Sequence, residues 1–247
     1  MPPLKPYDTG LPYSYAPGVF PSIALMQSAP QYAKRLLLSQ RAEGEGIEKL
    51  RDLCQAHGVR EEIAEKALSR ISGKQNCFAA VVFDKWQGEL LAESTHVALH
   101  HPMDEGNLGT ILRTLLGFGI RDVAVIRPAA DVFEPRVIRA SMGAVFSLRV
   151  KQYSDFSQYR AEYPAHTAYP FMLDGAVALS KAVREKKTPA VLVFGNEGSG
   201  LPPEFAALGQ AVRIPHSGAI DSLNLAVAVA IGAYAFTEGR QDWEAEI

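Results

Sequence analysis

From Phe78 onward, the apolar runs FAAVVF, HVALHH, DVAVI, VFSLRV, TAYPFML and AVLVF alternate with stretches of helical periodicity. Runs that are apolar at nearly every position, rather than at every second one, suit strands buried on both faces. Such strands separated by helices specify a mostly parallel sheet covered on either side, so the expected class is α/β. The clearest helices are NLGTILRTLLGFG, SDFSQYRAEY and SLNLAVAVAIGAYAF. In sheets of this kind, ligands meet the loops beyond the carboxyl ends of the strands.

Residues 1–75 have a different texture. After a Pro/Tyr-rich arm come YAKRLLLSQRAEGEGIEKLRDLCQAHG and REEIAEKALSRI, with Leu, Ile and Ala at helical spacing between charges. This predicts a small N-terminal helical domain over 1–75, followed by the α/β domain over 76–247. Lys34, Arg35, Arg41, Lys49 and Arg51 either meet phosphates there or form a solvated face.

Several classes are disfavoured by composition. A net charge of −2 argues against nonspecific coating of nucleic acid but permits a local basic patch. The longest apolar stretch, residues 223–236, is shorter than the roughly 20 residues a bilayer core demands and contains Asn224 and Gly232, so no membrane is expected. The start of the chain lacks a basic segment followed by an apolar core, which points to the cytoplasm. Cys54 and Cys77 are too far apart for a CxxC motif, and no HExxH or Cys/His spacing accompanies the histidines. No metal is therefore expected.

Three constellations remain. On a helix spanning residues 107–119, Leu108, Ile111, Leu112, Leu115, Leu116 and Phe118 share one broad face and Asn107, Thr110, Arg113, Thr114 and Gly117 the other. Arg113 there either binds a phosphate through its fork of donors or lies in solvent. In AVLVFGNEGSGLPPE a strand runs into a glycine-rich turn whose Gly195, Gly198 and Gly200 are spaced GxxGxG, not as the GxGxxG of a dinucleotide site. That turn carries one carboxylate, Glu197, on a backbone able to approach a ligand closely. In IPHSGAIDSLN, Asp221 or Ser222 is a good N-cap for the apolar helix that follows. Asn224 beside Leu223 and Leu225 then implies that this helix end faces something polar.

Taken together, NxGxxxR at residues 107–113, GNEGSGL at 195–201 and IPxxGxxxSLN at 214–224 resemble the three ordered motifs of the SpoU/TrmH family, RNA ribose 2′-O-methyltransferases of the SPOUT superfamily. The likeness covers residues 97–236. It implies a C-terminal trefoil knot in the parallel sheet, and S-adenosylmethionine held bent in the knot loops, with Gly195, Ile214 and Leu223 as its contacts. It implies a homodimer with the site near the subunit interface. It puts Arg113 at the catalytic centre, as base or as phosphate clamp, in its own or the partner's site, and matches Asn107, Glu197, Ser222 and Asn224 to the family's other polar positions. His216 stands where the family often has methionine. The substrate implied is a ribose 2′-hydroxyl of tRNA or rRNA. The rival is a noncatalytic RNA-binding or ribosome-assembly protein that kept the knot fold; an ordinary nicotinamide enzyme is disfavoured by the glycine spacing.

Overall fold

The computed structural model describes residues 4–72, 77–174 and 177–238. The expected domain boundary at residues 75 and 76 lies outside them. Along the chain run β1 (Tyr13–Pro17), α1 (Val19–Ser28), β2 (Ala33–Leu38), α2 (Glu45–Ala56), β3 (Arg60–Ile63), α3 (Glu65–Ser72) and β4 (Ala79–Asp84). Then come β5 (His96–His100), α4 (Glu105–Gly117), β6 (Asp122–Ile126), α5 (Pro135–Ala140), β7 (Arg149–Tyr153), α6 (Phe156–Glu162) and β8 (Thr167–Pro170). The chain closes with β9 (Val177–Ala178), α7 (Leu179–Arg184), β10 (Ala190–Phe194), β11 (Val212–Arg213) and α8 (Leu225–Thr237). Two compact units result, Met1–Trp86 with Asp131–Ser147, and Gln87–Ala130 with Leu148–Ile247.

The first unit is not the helical domain its charges suggest. It contains a four-stranded sheet in the order β1-β4-β2-β3, antiparallel except for the β2–β3 pair. Leu36, Leu37 and Leu38 are consecutive and all fully buried, which a two-faced strand accommodates and a one-sided surface helix does not. The exposed strand β3 has almost no local signal and exists through its pairing with β2. FAAVVF forms β4 between β1 and β2, so it belongs with this unit and not with the α/β domain, a second correction. Only α2 and α3 keep the helical reading, α2 burying Ile47, Leu50 and Cys54 at spacings of three and four. Lys34 pairs with Asp84 at 2.7 Å, Arg35 with Glu62 at 3.3 Å and Arg51 with Glu61 at 2.9 Å, which favours the solvated-face reading for those three cations.

The second unit holds a five-stranded, wholly parallel sheet in the order β7-β6-β5-β10-β8. Strands β6 and β10 are buried along their whole length, as their unbroken apolar runs require. The run VFSLRV is divided: Ala144–Ser147 is a 3₁₀ turn and the strand starts only at Arg149. The cause is that Phe146 packs edge-on against Phe83 in the first unit's core, at 5.2 Å between ring centroids, while Val150 belongs to the second. Helix α4 buries Leu108, Ile111, Leu112 and Leu115 and leaves Thr110, Arg113 and Gly117 exposed, as its periodicity predicts. Helix α8 packs on α4, α7 and β10. A Cβ on Gly232 would fall 2.8 Å from the Phe171 ring and 2.9 Å from Phe194, rings that stack at 4.3 Å, so this helix meets the sheet closely only through glycine.

A buried histidine pair sits beneath the sheet's carboxyl-end loops, on the side away from them. His96, fully buried, stands within 2.9 Å of both the Tyr159 hydroxyl and the Leu91 carbonyl, and stacks on His166 at 4.1 Å. The carbonyl can only accept, so Nε2 donates to it and Nδ1 accepts from Tyr159. Burial, above all, pulls the His96 pKa down to about 4 and lowers that of His166. Below pH 6.5 the unfolded chain therefore binds protons the native one refuses, and stability is lost as pH falls towards 4. We expect urea unfolding to report a few kcal/mol less stability at pH 5 than at pH 7; a flat profile over that interval would contradict it.

Candidate active site

Loops beyond the carboxyl ends of β5, β8 and β10 converge, where a parallel sheet presents its ligands. Residues 171–174, 194–201 and 212–225 supply most of the wall of one cavity of about 540 Å³. Gly195, Ile214 and Leu223, the residues expected to hold a cofactor, all line it, as do Glu197 and Ser222. Asn107, Arg113 and Asn224 stand outside its wall.

The glycine-rich turn is closed on itself. Asn196 and Gly200 exchange backbone hydrogen bonds of 3.2 and 3.0 Å, and the Asn196 Oδ1 accepts from the amides of Gly198 and Ser199. A Cβ on Gly195 would lie 2.1 to 2.4 Å from the backbone of Gly200 and Leu201. Glycine at this position therefore lets the turn close.

Glu197 is bound to backbone. Its carboxylate accepts from the amide of Met103 at 3.3 Å and of Asp104 at 3.1 Å, and from the side chain of Asn196 at 3.1 Å. The same Asn196 donates to the carbonyl of His101, a residue held at φ 57.

The N-cap of α8 is Asn224, not Asp221 or Ser222. Its Oδ1 accepts from the amides of Ala226 and Val227, and its Nδ2 donates to Asn107 Oδ1 at 3.0 Å. All three residues have side chains suited to capping, and the one chosen is the one that can also reach α4. The polar neighbour implied by the sequence is thus Asn107. Ser222 is exposed at the cavity rim, and its hydroxyl makes no hydrogen bond among the described residues.

Arg113 lies six residues along α4 from Asn107, about 1.7 turns and a rise of about 9 Å. It is exposed, and among the described residues its guanidinium has no hydrogen bond or ion pair. Arg213 and His216 also border the cavity, together with Asp174 and Asp221, and sequence reasoning singled out none of these as site residues. Asp104 was missed as well, although an aspartate three residues before Asn107 is a recognisable N-cap signal. Among the described residues no group of three or more His, Cys, Asp or Glu side chains could hold a metal, and no helix is long and apolar enough to cross a membrane.

The double role of Asn224 can be separated by substitution. Asn224→Ser keeps a capping oxygen but removes the donor to Asn107, so chemical denaturation should change by less than about 1 kcal/mol. Turnover should nevertheless fall at least tenfold. Unchanged turnover would reduce Asn224 to a cap.

Fold and cavity together define a parallel α/β unit with a cavity of about 540 Å³ among the loops at the carboxyl end of its sheet. The chain belongs to the SpoU rRNA Methylase family, whose model matches residues 94–234. It is similar to the 23S rRNA (guanosine-2′-O-)-methyltransferase RlmB of Acinetobacter baylyi, 25% identical over 89% of this chain and 95% of that protein. An uncharacterized tRNA/rRNA methyltransferase of Synechocystis is 30% identical over 60% of this chain, and the match spans 54% of that relative, about half its length. The crystal structure of an AdoMet-bound rRNA methyltransferase from Sinorhizobium meliloti superposes with a TM-score of 0.77 and 28% identity, over 91% of this chain and 87% of that one.

Proposed function

We propose that this protein transfers a methyl group from S-adenosylmethionine to a ribose 2′-hydroxyl of RNA, ribosomal or transfer. The observation that carries the reading is the meeting of the second and third motifs around one cavity, with the first tied to the third by the bond between Asn107 and Asn224. A family model alone would not require the cavity.

The cavity suits the cofactor. Its volume lies within the range of small-molecule sites, its walls include Phe171, Ile214, Leu223 and Leu225, and carboxylates stand among them. Ile214 and Leu223 would wall an adenine, and the backbone of 195–201 would supply polar contacts. Bound there, S-adenosylmethionine supplies an electrophilic methyl group on its sulfonium.

The remaining work belongs to this chain's own residues. A 2′-hydroxyl is a poor nucleophile until its proton is shared, and it must be held in line with the sulfur–methyl bond. As the oxygen–methyl bond forms and the methyl–sulfur bond breaks, its proton passes to the adjacent phosphate oxygen or to water. Arg113 clamps the phosphate beside the target ribose through the planar fork of its guanidinium. Asn107 and Asn224 hold α4 against α8 so that this clamp has a fixed origin, and Ser222 offers its hydroxyl at the rim. Glu197 fixes the loop leading into α4.

The knot and the dimer are parts of the same reading. Strand β10 inserts between β5 and β8, an order consistent with a threaded carboxyl end. Val227 and Tyr234 on α8 are each 47% exposed, apolar surface that a second copy would cover. RNA as substrate implies an affinity that falls as salt rises.

Cofactor binding tests the assignment. S-adenosylhomocysteine should raise the melting temperature and NAD should not; stabilisation by NAD alone would reject the methyltransferase reading.

A further inference from the structure

We propose that Asp104 is a positioning residue that couples the cofactor loop to the helix bearing Arg113, so that filling the cavity sets α4 for methyl transfer. The inference rests on the function proposed above, which assigns Arg113 but gives Asp104 no role.

The connection is continuous and every link is a hydrogen bond. Glu197, in the loop that lines the cavity, accepts from the backbone amide of Asp104 at 3.1 Å. The carboxylate of Asp104 in turn caps α4, accepting from the amide of Asn107 at 2.6 Å. Asn107 passes the link on by accepting from Asn224, which caps α8. Asp104 is therefore held at its backbone by the cofactor loop and holds the first turn of α4 with its side chain.

Nothing about Asp104 suggests service to the core. It is exposed, and it does not border the cavity. The entry to this turn is also fixed on its other side, where the Asn196 side chain donates to the carbonyl of His101. His101 sits at φ 57, a left-handed conformation that a histidine adopts at a cost and that its surroundings must impose. The residues between His101 and α4 are thus pinned at both ends by Asn196 and Glu197. Displacing either loop would rotate the start of α4 and with it the line along which Arg113 projects.

Three variants separate positioning from simple stability. Asp104→Ala removes the cap, whereas Asp104→Ser and Asp104→Asn restore an acceptor of similar reach. We expect kcat for RNA methylation to fall about tenfold or more in Asp104→Ala, with the dissociation constant for S-adenosylhomocysteine changed less than twofold. Asp104→Ser or Asp104→Asn should recover most of the lost turnover. Hydrogen exchange supplies a readout independent of activity: S-adenosylhomocysteine should slow exchange of the amides at 105–109 in the wild type, and Asp104→Ala should abolish that response. Wild-type turnover in Asp104→Ala would overturn the proposal, as would a loss of cofactor affinity equal to the loss of turnover. Should the wild type methylate no RNA, the proposed function fails, and the exchange experiment still decides whether loop and helix are coupled.

Discussion

Arg113→Ala should abolish RNA methylation while leaving both fold and cofactor binding intact. The side chain is exposed, stands outside the cavity wall and has no partner among the described residues, so nothing in the folded state is lost with it. Surface substitutions of this kind change stability by no more than about 0.5 kcal/mol. On the proposed mechanism, what the variant removes is the capture of an anionic oxygen beside the reacting ribose. Removing a preorganised donor to developing or neighbouring charge costs about 10²- to 10³-fold in rate. Single-turnover transfer should therefore fall by at least that factor while titration with S-adenosylhomocysteine is unchanged. Arg113→Lys should fail too, because an ammonium lacks the planar pair of donors. Near-normal turnover by either variant would remove Arg113 from the mechanism.

Gly195→Ala should have the largest effect on the cofactor site. The added methyl would approach the carbonyl carbon of Gly200 to 2.1 Å and the amide nitrogen of Leu201 to 2.3 Å, backbone atoms that no rotamer change can move aside. Relief requires opening the turn, at the expense of the paired bonds between Asn196 and Gly200 and then of the contact from Glu197 to Asp104. Overpacking of this kind costs about 1–3 kcal/mol. S-adenosylhomocysteine affinity should drop more than tenfold, measured by calorimetric titration alongside denaturation. Gly198→Ala serves as the control, since its methyl would meet only Asn196 Oδ1 at 3.5 Å, an ordinary contact. Equal behaviour of the two variants would mean that closure of the turn is irrelevant to binding.

The catalytic sheet was legible because its physics is local. Runs such as DVAVI and AVLVF are apolar throughout, and only a strand covered on both faces uses that pattern economically. The first unit was misread for the opposite reason. Lys34 and Arg35 gave β2 the look of an amphipathic helix, and the partners that make it a strand, β3 and β4, lie about 25 and 45 residues further along the chain. At the site, the residue types suited to cofactor contact are visible in the second and third motifs, and the structure gathers Gly195, Ile214, Leu223, Glu197 and Ser222 around one cavity. Its floor was not visible, because TAYPFML reads as one strand while the strand stops at Pro170 and Phe171 and Met172 turn into the cavity wall. The cap of α8 was misplaced since Asp221, Ser222 and Asn224 are all competent caps; Asn224 is the one whose Nδ2 also meets Asn107, a contact 117 residues away in sequence.

Methyl transfer to a ribose 2′-hydroxyl is open to one direct measurement. Labelled S-adenosylmethionine would be incubated with the protein and with either total RNA or ribosomal subunits from cells lacking it, followed by nuclease digestion and nucleoside analysis, with Arg113→Ala in parallel. A labelled 2′-O-methylnucleoside should form that is absent from the Arg113→Ala reaction, in an RNA whose size distinguishes transfer from ribosomal substrates. Label on a base, or none in any of these RNAs, would contradict ribose methylation.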